Sequence, residues 1–350
     1  MKSPLQGALA LRKETINGRF EGKTSCEKFN GGSFSPKNIT VLEKKCGRDF
    51  VILNLSDPHF SDYDMRAVFA LEAAASVKRL VSEIKPDLIT VTGDMVCGAS
   101  TVHSIKRFTD LMESTGVPWA PVFGNHDEEG NCDKNYLADI MLSSPRCLLK
   151  KGAPEMGVGN YIVCIAKPGT NGRNEIIEAL IMMDSHRAQP NEKQAEWLIK
   201  SAAGIKGISP KAEISLMLHI PLPEYQYAYT AAWDNSAGAW RNGFAAAGEL
   251  HESICCEREN GVPVQRGFFN AIKETGSTKF IFCGHEHMNN FSILYEGVRL
   301  TYTMKLGFGS GFQPGFNGGT VIRVSDNGIS TITHRTLSRI RPIDIVNIKI

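Results

Sequence analysis

The sequence predicts one α/β domain in which two packed β-sheets are covered by helices. Two observations support this prediction: apolar runs of strand length alternate with helix-like segments, and five of those runs end in residues that can bind a metal ion. The chain has 350 residues, which is enough to bury a large core. We expect the domain to span residues 46–335, between an N-terminal extension over residues 1–45 and a C-terminal tail over residues 336–350.

The individual elements follow from apolar periodicity and from the residues that stop it. Residues 64–84 carry apolar side chains at helical spacing, and Pro86 ends this helix because the residue before a proline disfavours helical backbone. A strand, a helix and a second strand at this spacing form a βαβ unit. Strands are expected at residues 50–56, 88–92, 117–123, 161–166, 179–184, 214–218, 280–283, 291–295, 300–304 and 320–324. Further helices are expected at residues 103–113, 192–203 and 268–274.

Five of the expected strands run directly into side chains that can bind a cation. In open α/β sheets, ligands bind at the carboxyl ends of the strands, so these side chains would meet in one cleft if the strand ends converge. A cleft that combines carboxylates, imidazoles and an amide indicates a two-metal hydrolase. The residues are Asp57 and His59, then Asp94, then Asn125, His126 and Asp127, then His219, and finally His285 and His287.

The spacing and type of these residues suit metal binding. Asp57 and His59 are two positions apart, so they project from one face of an extended strand. A glycine precedes each of Asp94, Asn125 and His285, which lets the backbone turn sharply and approach an ion closely. A carboxylate can bridge two cations, an amide oxygen is a neutral ligand, and a neutral imidazole binds through either ring nitrogen. Each motif alone is weak, but all five in this order indicate a metal centre.

Read in chain order, the motifs are D-x-H, G-D, G-N-H-D, a single histidine and G-H-x-H, with HIPLPE at residues 219–224. This pattern resembles the calcineurin-like metallophosphoesterases over about residues 48–325, and within them the purple acid phosphatase-like branch of fungal and plant phosphatases. The resemblance implies a four-layer α/β/β/α sandwich with a dinuclear metal centre. It implies that one metal is held by Asp57, His59, Asp94 and His287, and the second by the bridging Asp94 together with Asn125, His219 and His285.

The resemblance also implies an activity, the hydrolysis of phosphoric esters and most simply of phosphomonoesters. A hydroxide that bridges the two metals would attack phosphorus. His126 would face the substrate and assist, and Asp127 would orient His126. Two divalent ions, two aspartates and one hydroxide leave a net charge of about +1, which attracts a phosphate anion. Oxygen and nitrogen donors suit Mn, Fe or Zn. The alternatives are a phosphodiesterase that acts on nucleotides or related diesters, and a non-catalytic scaffold on the same fold.

The chain departs from the purple phosphatases at two positions. Three residues after the bridging aspartate, where those enzymes have a tyrosine ligand, the chain has Cys97, whereas they lack the histidine that stands here as His59. We therefore expect no iron–tyrosinate colour. A thiolate ligand from Cys97 is the minor alternative, because the remaining donors need no soft partner.

Two further features are open to two interpretations each, and a third is expected to be a loop. Tyr225 begins an aromatic segment over residues 225–244, which either stacks a substrate group beside the site or is a long connection held to the body by its aromatic side chains. His186 follows another strand and is either a substrate contact or an ordinary loop histidine. The glycine-rich residues 307–319 lead into a strand and are expected to form a loop, which in the related proteins can approach the site.

Charge and composition limit the partners. The formal net charge is +2, from 39 basic and 37 acidic residues, which gives no sign of a nucleic-acid-binding surface. No apolar run approaches the ~20 residues that span a bilayer. The nine cysteines form no C-x-x-C pair, and the start of the chain has no convincing signal peptide, so we expect a reduced, cytoplasmic protein. Its substrate would be a small phosphoester or a phosphoprotein.

Overall fold

The computed structural model describes residues 39–61, 66–130, 132–169, 173–256, 258–259, 262–263, 267–309, 311–313, 315–337 and 343–346. Most of the predicted N-terminal extension therefore lies outside the described residues. Within them, the helices are α1 (Arg66–Ile84), α2 (Thr101–Ser114), α3 (Lys134–Met141), α4 (Glu192–Ile208), α5 (Pro223–Ala232) and α6 (Phe268–Glu274), with a short 3₁₀ helix at Pro154–Met156.

The strands alternate with these helices along the chain. The first seven are β1 (Ile39–Glu43), β2 (Phe50–Leu55), β3 (Leu88–Thr92), β4 (Trp119–Val122), β5 (Tyr161–Pro168), β6 (Asn174–Met182) and β7 (Glu213–Met217). Five short strands follow, namely β8 (Trp233–Asp234), β9 (Ala239–Trp240), β10 (Ala246–Ala247), β11 (Arg258–Glu259) and β12 (Val262–Pro263). The last six are β13 (Thr278–Cys283), β14 (Ser292–Tyr295), β15 (Val298–Tyr302), β16 (Gly318–Ser325), β17 (Gly328–Thr336) and β18 (Ile343–Val346).

Two mixed sheets form the centre of the fold. The larger has eight strands in the order β1-β5-β6-β7-β13-β15-β14-β10, and β6, β7, β13 and β15 run parallel to one another. The smaller has six strands in the order β18-β17-β16-β2-β3-β4, and β2, β3 and β4 run parallel. Parallel strands require crossover connections, and helices supply them for all of these pairs except β13 and β15, which are connected through β14.

Alternate residues of one strand enter two different cores, which defines the layers. In β13, Phe280 and Phe282 face the core between the two sheets, whereas Ile281 and Cys283 face a second core. The cluster that contains Phe280 and Phe282 also includes the neighbouring β2 residues Ile52 and Leu53, so it covers both faces of the smaller sheet, and α1, α2 and α3 pack on its outer face. Helices α4, α5 and α6 pack on the second core. Because strand side chains alternate between faces, this partition requires a sheet covered on both sides. The predicted arrangement of two packed sheets between helical layers is confirmed.

Several elements lie where the sequence analysis expected none. Strand β1 pairs with β5 and belongs to the larger sheet, although it falls within the predicted N-terminal extension. Strand β18 likewise pairs with β17 inside the predicted C-terminal tail. Helix α3 is only eight residues long and is capped by the side chain of Asp133. Helix α5 starts at Pro223 and runs into the aromatic segment over residues 225–244, and proline is tolerated at the first helical position because its missing N–H loses no hydrogen bond there. Short or half-buried elements of this kind leave a weak periodic signal.

Glu178 is a buried carboxylate in β6 that makes stability depend on pH. Its Oε1 accepts a hydrogen bond from Ser215, but burial raises the pKa of Glu178 to about 8. The unfolded chain has a glutamate pKa of about 4.3, so the folded state binds the extra proton and loses stability as the pH rises from there towards 8. We expect Glu178→Gln to gain several kcal/mol relative to the wild type between these limits. Denaturant unfolding at several pH values measures this difference. If the free energy of unfolding changed equally with pH in both proteins, the result would contradict the prediction.

Two further expectations concern location. Among the described residues, no helix is long and apolar enough to cross a membrane. Eight of the nine cysteines lie in the described part of the chain, and none of these eight is in a disulfide. The cytoplasmic location stays a prediction.

Candidate metal centre

The candidate site lies where the carboxyl ends of five parallel strands meet. Asp57 and Asp94 follow β2 and β3, and Asn125 follows β4, all in the smaller sheet. His219 and His285 follow β7 and β13 in the larger sheet, each two residues beyond its strand. The site is therefore built where the carboxyl ends of strands from the two packed sheets come together.

The chain turns sharply at four of these residues. Asp57, His59, Asp94 and His285 have φ angles of 51°, 47°, 49° and 77°, a left-handed conformation that non-glycine residues rarely adopt. Backbone hydrogen bonds hold the first two turns, because the amide of Asp57 donates to Gly93 and that of His59 to Asp94. Such conformations cluster at functional sites because they aim side chains that ordinary strand geometry would not.

Asp57, His59 and His287 form the first group of donors. Their ligand atoms all lie within 4.8 Å of one another. Asp57 Oδ1 is 3.9 Å from His59 Nε2 and 3.6 Å from His287 Nε2, and the two ring nitrogens are 3.0 Å apart. Burial lowers the pKa of His59 well below its usual value, so its imidazole is neutral and able to bind a cation.

Asp94, His219 and His285 form the second group, also within 4.8 Å of one another. Asp94 Oδ2 lies 3.2 Å from His219 Nε2, which in turn is 3.0 Å from Asn125 Oδ1 and 3.3 Å from His285 Nδ1. The other ring nitrogen of His219 contacts the carbonyl oxygen of Thr92 at 2.8 Å, which fixes the orientation of the ring. The same oxygen of Asp94 is 3.5 Å from His59 Nε2, so Asp94 lies between the two groups.

The donors fit divalent cations. Asp57 Oδ1 and Asp94 Oδ2 are buried and have no hydrogen-bond partner, although each faces ring nitrogens of the neighbouring histidines. A buried carboxylate oxygen without a partner is costly unless a cation neutralises it. Burial alone would raise the pKa of Asp94, but His219 and His59 outweigh it and lower the value to about 2, so the group is ionised. Two carboxylates with neutral nitrogen and oxygen donors are ligands that suit first-row transition metals.

Two glycines are required by the close approach of the backbone to these carboxylates. A Cβ atom at Gly124 would lie 2.1 Å from Asp94 Oδ1, and one at Gly284 would lie 2.6 Å from Asp57 Oδ2. Both contacts are far inside normal separation, so any side chain at these positions would displace a ligand. The glycines that precede the ligand motifs are therefore part of the site.

His126 lies at the mouth of the site. Its amide donates to Asp94 Oδ1 at 2.8 Å, its ring is 38% exposed, and its Nε2 is 3.9 Å from Asp94 Oδ2. Asp127 was expected to orient His126, but its buried carboxylate accepts from the amides of Val96 and Gly124. Asp127 therefore fixes the loop, and burial raises its pKa to about 7.

Glu129 and Lys305 are neighbours of the site that sequence reasoning missed. Glu129 contacts His126 Nδ1 through one oxygen and accepts from the amide of Gly98 through the other, so it sets the orientation of the His126 ring. Lys305 is 1% exposed and donates to the carbonyl oxygen of Asp57 at 2.7 Å. The acidic run after G-N-H-D was a signal for Glu129, but nothing in the sequence marks a lysine 248 positions from its partner.

The glycine-rich loop does reach the site. The carbonyl oxygen of Gly311 is 3.1 Å from His287 Nδ1, so it holds the His287 ring with Nε2 turned towards Asp57. Cys97 belongs to neither donor group, and its Sγ lies 3.7 Å from the carbonyl oxygen of His59.

His186 and Tyr225 belong to neither donor group, and their contacts favour the second of the two interpretations given for each. His186 Nε2 bonds Gln194 in α4 at 2.9 Å, and its amide donates to Asp184. Tyr225 is fully buried against Phe291 and Tyr302 in the second core. Aromatic side chains carry a large apolar surface, and burial of this surface between a helix and a sheet places Tyr225 in the core.

The Tyr225 hydroxyl also satisfies the backbone of two strands. It donates to the carbonyl oxygen of Ile281 at 2.9 Å and accepts from the amide of Thr301 at 3.2 Å. We expect Tyr225→Phe to lower the free energy of unfolding by about 1–3 kcal/mol while KM for a phosphoester is unchanged. Tyr229→Phe, on the same helix, is the matched control and should leave stability unchanged. A raised KM in Tyr225→Phe would return this residue to the substrate site.

Comparison with known proteins decides the family. The calcineurin-like phosphoesterase model matches residues 50–289, which span all five ligand motifs. The chain belongs to that family. This confirms the predicted resemblance, the fold class and the assignment to metal-dependent phosphoesterases, and the two donor groups support a dinuclear site.

The relatives of this calcineurin-like phosphoesterase include both phosphatases and proteins named inactive. "Probable inactive purple acid phosphatase 14" of Arabidopsis thaliana is 25% identical over 74% of this chain and 71% of its own length. "Phosphatase DCR2" of Saccharomyces cerevisiae is 24% identical over 70% of this chain and 45% of its own length. A dimetal phosphatase from Danio rerio has the same fold, with a TM-score of 0.54 at 11% identity, over 86% of this chain and 99% of that one.

Proposed function

We propose that this phosphoesterase is a catalytically active phosphomonoesterase with two metal ions, Mn, Fe or Zn. The observation that supports this most is the convergence of seven donor side chains on two adjoining groups, with Asp94 between them. No donor position is lost, whereas a scaffold that only binds partners has no need to keep two buried carboxylate oxygens without partners.

The donor groups assign a role to each residue. Asp57, His59 and His287 would hold one ion, and Asn125, His219 and His285 the other, with Asp94 between them. When bound, the ions would supply positive charge for the phosphate oxygens and lower the pKa of a coordinated water. Once bound to the ions, the asparagine and the histidines would add no negative charge, so the pair of aspartates leaves the site attractive to a phosphate dianion.

The chain's own contribution to turnover would come from His126. Its exposed ring stands beside Asp94, and Glu129 holds Nδ1 so that Nε2 is the atom turned towards the cleft. A ring in this position would bind the phosphate oxygens and give a proton to the departing alkoxide, a role that contributes typically 10²–10⁴-fold. Asp127 and Lys305 act at a distance, by holding the backbone of the ligand loops.

The relatives' names leave the choice between enzyme and inactive protein to experiment. We would measure hydrolysis of p-nitrophenyl phosphate, of its diester bis(p-nitrophenyl) phosphate and of a phosphopeptide, each after loading with Mn, Fe or Zn. The proposal expects the monoester to be hydrolysed faster than the diester with at least one metal. Faster diester hydrolysis would assign the protein to the phosphodiesterases, and no hydrolysis by protein that holds two ions would make it a scaffold.

A further inference from the structure

A third set of donors lies beside the candidate centre, and the proposed phosphoesterase chemistry leaves it unused. Ligand atoms of Cys255, His285 and Glu286 all lie within 4.8 Å of one another. The set combines one sulfur, one nitrogen and one oxygen, whereas the two groups of the centre contain no sulfur. A sulfur donor makes this set softer than the two groups of the centre.

His285 connects the new set to the centre because its two ring nitrogens have different neighbours. Nδ1 is 3.3 Å from His219 Nε2 in the second donor group, whereas Nε2 is 3.9 Å from Glu286 Oε1. The two nitrogens of an imidazole can each bind a metal. One ring can therefore serve both sites.

Glu286 supplies a buried carboxylate that is only partly satisfied. The residue is 2% exposed, its Oε1 accepts from the amide of Cys255 at 2.6 Å, and its Oε2 has no hydrogen-bond partner. A cation would stabilise the charged form that burial disfavours.

The loop that carries Cys255 is hydrogen-bonded to the segment between β13 and β14. Asn289 Oδ1 accepts from the amides of His251 and Glu252, and Asn289 Nδ2 donates to the carbonyl oxygen of Glu252. The amide of Cys255 is tied to Glu286 in the same way. Cys255 itself is exposed, so an ion can reach its thiol from solvent. The donors are thus positioned in advance and accessible.

We propose that Cys255, His285 and Glu286 form a third metal site for a thiolate-binding divalent cation of the Zn²⁺ type. Three protein ligands leave a fourth position for water, as is usual for zinc sites that are not purely structural. On binding, Cys255 releases its thiol proton to solvent, and His285 releases its remaining ring proton so that each nitrogen holds one ion. The site is thereby coupled to the dinuclear centre through one shared ring.

Cobalt substitution tests this proposal without measuring turnover. Co²⁺ bound by a thiolate has an intense charge-transfer absorption in the near ultraviolet, which oxygen and nitrogen donors alone do not give. We expect the wild-type protein to show this band and to hold one more cobalt ion per chain than Cys255→Ser. Cys256→Ser, the neighbouring buried cysteine, is the matched control and should keep the band. A band that persists in Cys255→Ser, or equal cobalt contents, would overturn the proposal.

A second variant tests the carboxylate without removing the loop contact. In Glu286→Gln the amide oxygen still accepts from the Cys255 amide, but the charge is lost. We expect the affinity for the additional cobalt ion to fall by about tenfold or more, while the other ions remain bound. An unchanged affinity would remove Glu286 from the site. Both readouts are independent of hydrolysis, so a failure of the phosphatase assay would leave them interpretable.

Discussion

Asp94→Asn is expected to remove both metal ions and to lower kcat/KM for a monoester by about a thousandfold or more. Asp94 Oδ2 is 3.2 Å from His219 Nε2 and 3.5 Å from His59 Nε2, so one oxygen serves both donor groups. An amide in its place offers one neutral oxygen and an NH₂ group that repels a cation. A thousandfold loss corresponds to about 4 kcal/mol of transition-state stabilisation. Elemental analysis of the purified variant and steady-state kinetics measure the two effects.

Asp184→Asn is the matched control for this experiment. Asp184 is also a buried aspartate that follows a strand, but it pairs with Lys134 Nζ at 2.9 Å and belongs to neither donor group. We expect this variant to lose stability and to keep both ions. If Asp94→Asn lost only one ion, Asp94 would be a ligand of a single metal and would not bridge the pair.

His126→Ala is expected to lower kcat by about a hundredfold or more while both metals remain bound. The ring contributes no atom to either donor group, yet Nε2 lies 3.9 Å from Asp94 Oδ2 at the exposed mouth of the site. Its loss would remove a proton donor and a phosphate contact, and proton transfer of this kind contributes typically 10²–10⁴-fold to the rate. The metal ligands would be unaffected. Metal content and kinetics on the same preparation separate the two roles.

Two other variants are expected to lower turnover by less than His126→Ala does. His186→Ala removes a half-buried histidine that bonds Gln194, and we expect turnover to stay within about twofold of the wild type. Glu129→Gln keeps a hydrogen-bonding group beside His126 Nδ1 but loses the charge, so we expect a smaller loss than for His126→Ala. A wild-type rate in His126→Ala would remove His126 from the mechanism.

The sequence allowed much of the fold to be predicted because its central strands are long apolar runs with clear stops. The residues after β2, β3, β4, β7 and β13 could be placed together by one rule, the convergence of parallel strand ends. Tyr225 could not be assigned, since an aromatic side chain beside a ligand strand is equally compatible with a cleft and with a core. Lys305 and Glu286 became visible only once distant strands were brought together, because no local pattern marks a buried charge.

The role of Asp127 shows a second limit. The motif G-N-H-D places an aspartate beside His126, and neighbours in sequence suggest a shared task. The folded chain turns the two side chains apart, so that Asp127 binds backbone amides while Glu129 reaches the histidine ring. Side-chain direction in a tight loop depends on its dihedral angles, which spacing alone does not fix.

Each donor group takes side chains from both sheets, since Asp57 and Asp94 come from the smaller sheet and His287 and His219 from the larger. An ion in either group would therefore cross-link the two sheets. At a free metal concentration one hundred times Kd, a single ion adds about 2.7 kcal/mol to the stability of the folded state. Metal starvation would then reduce the lifetime of the protein as well as its turnover.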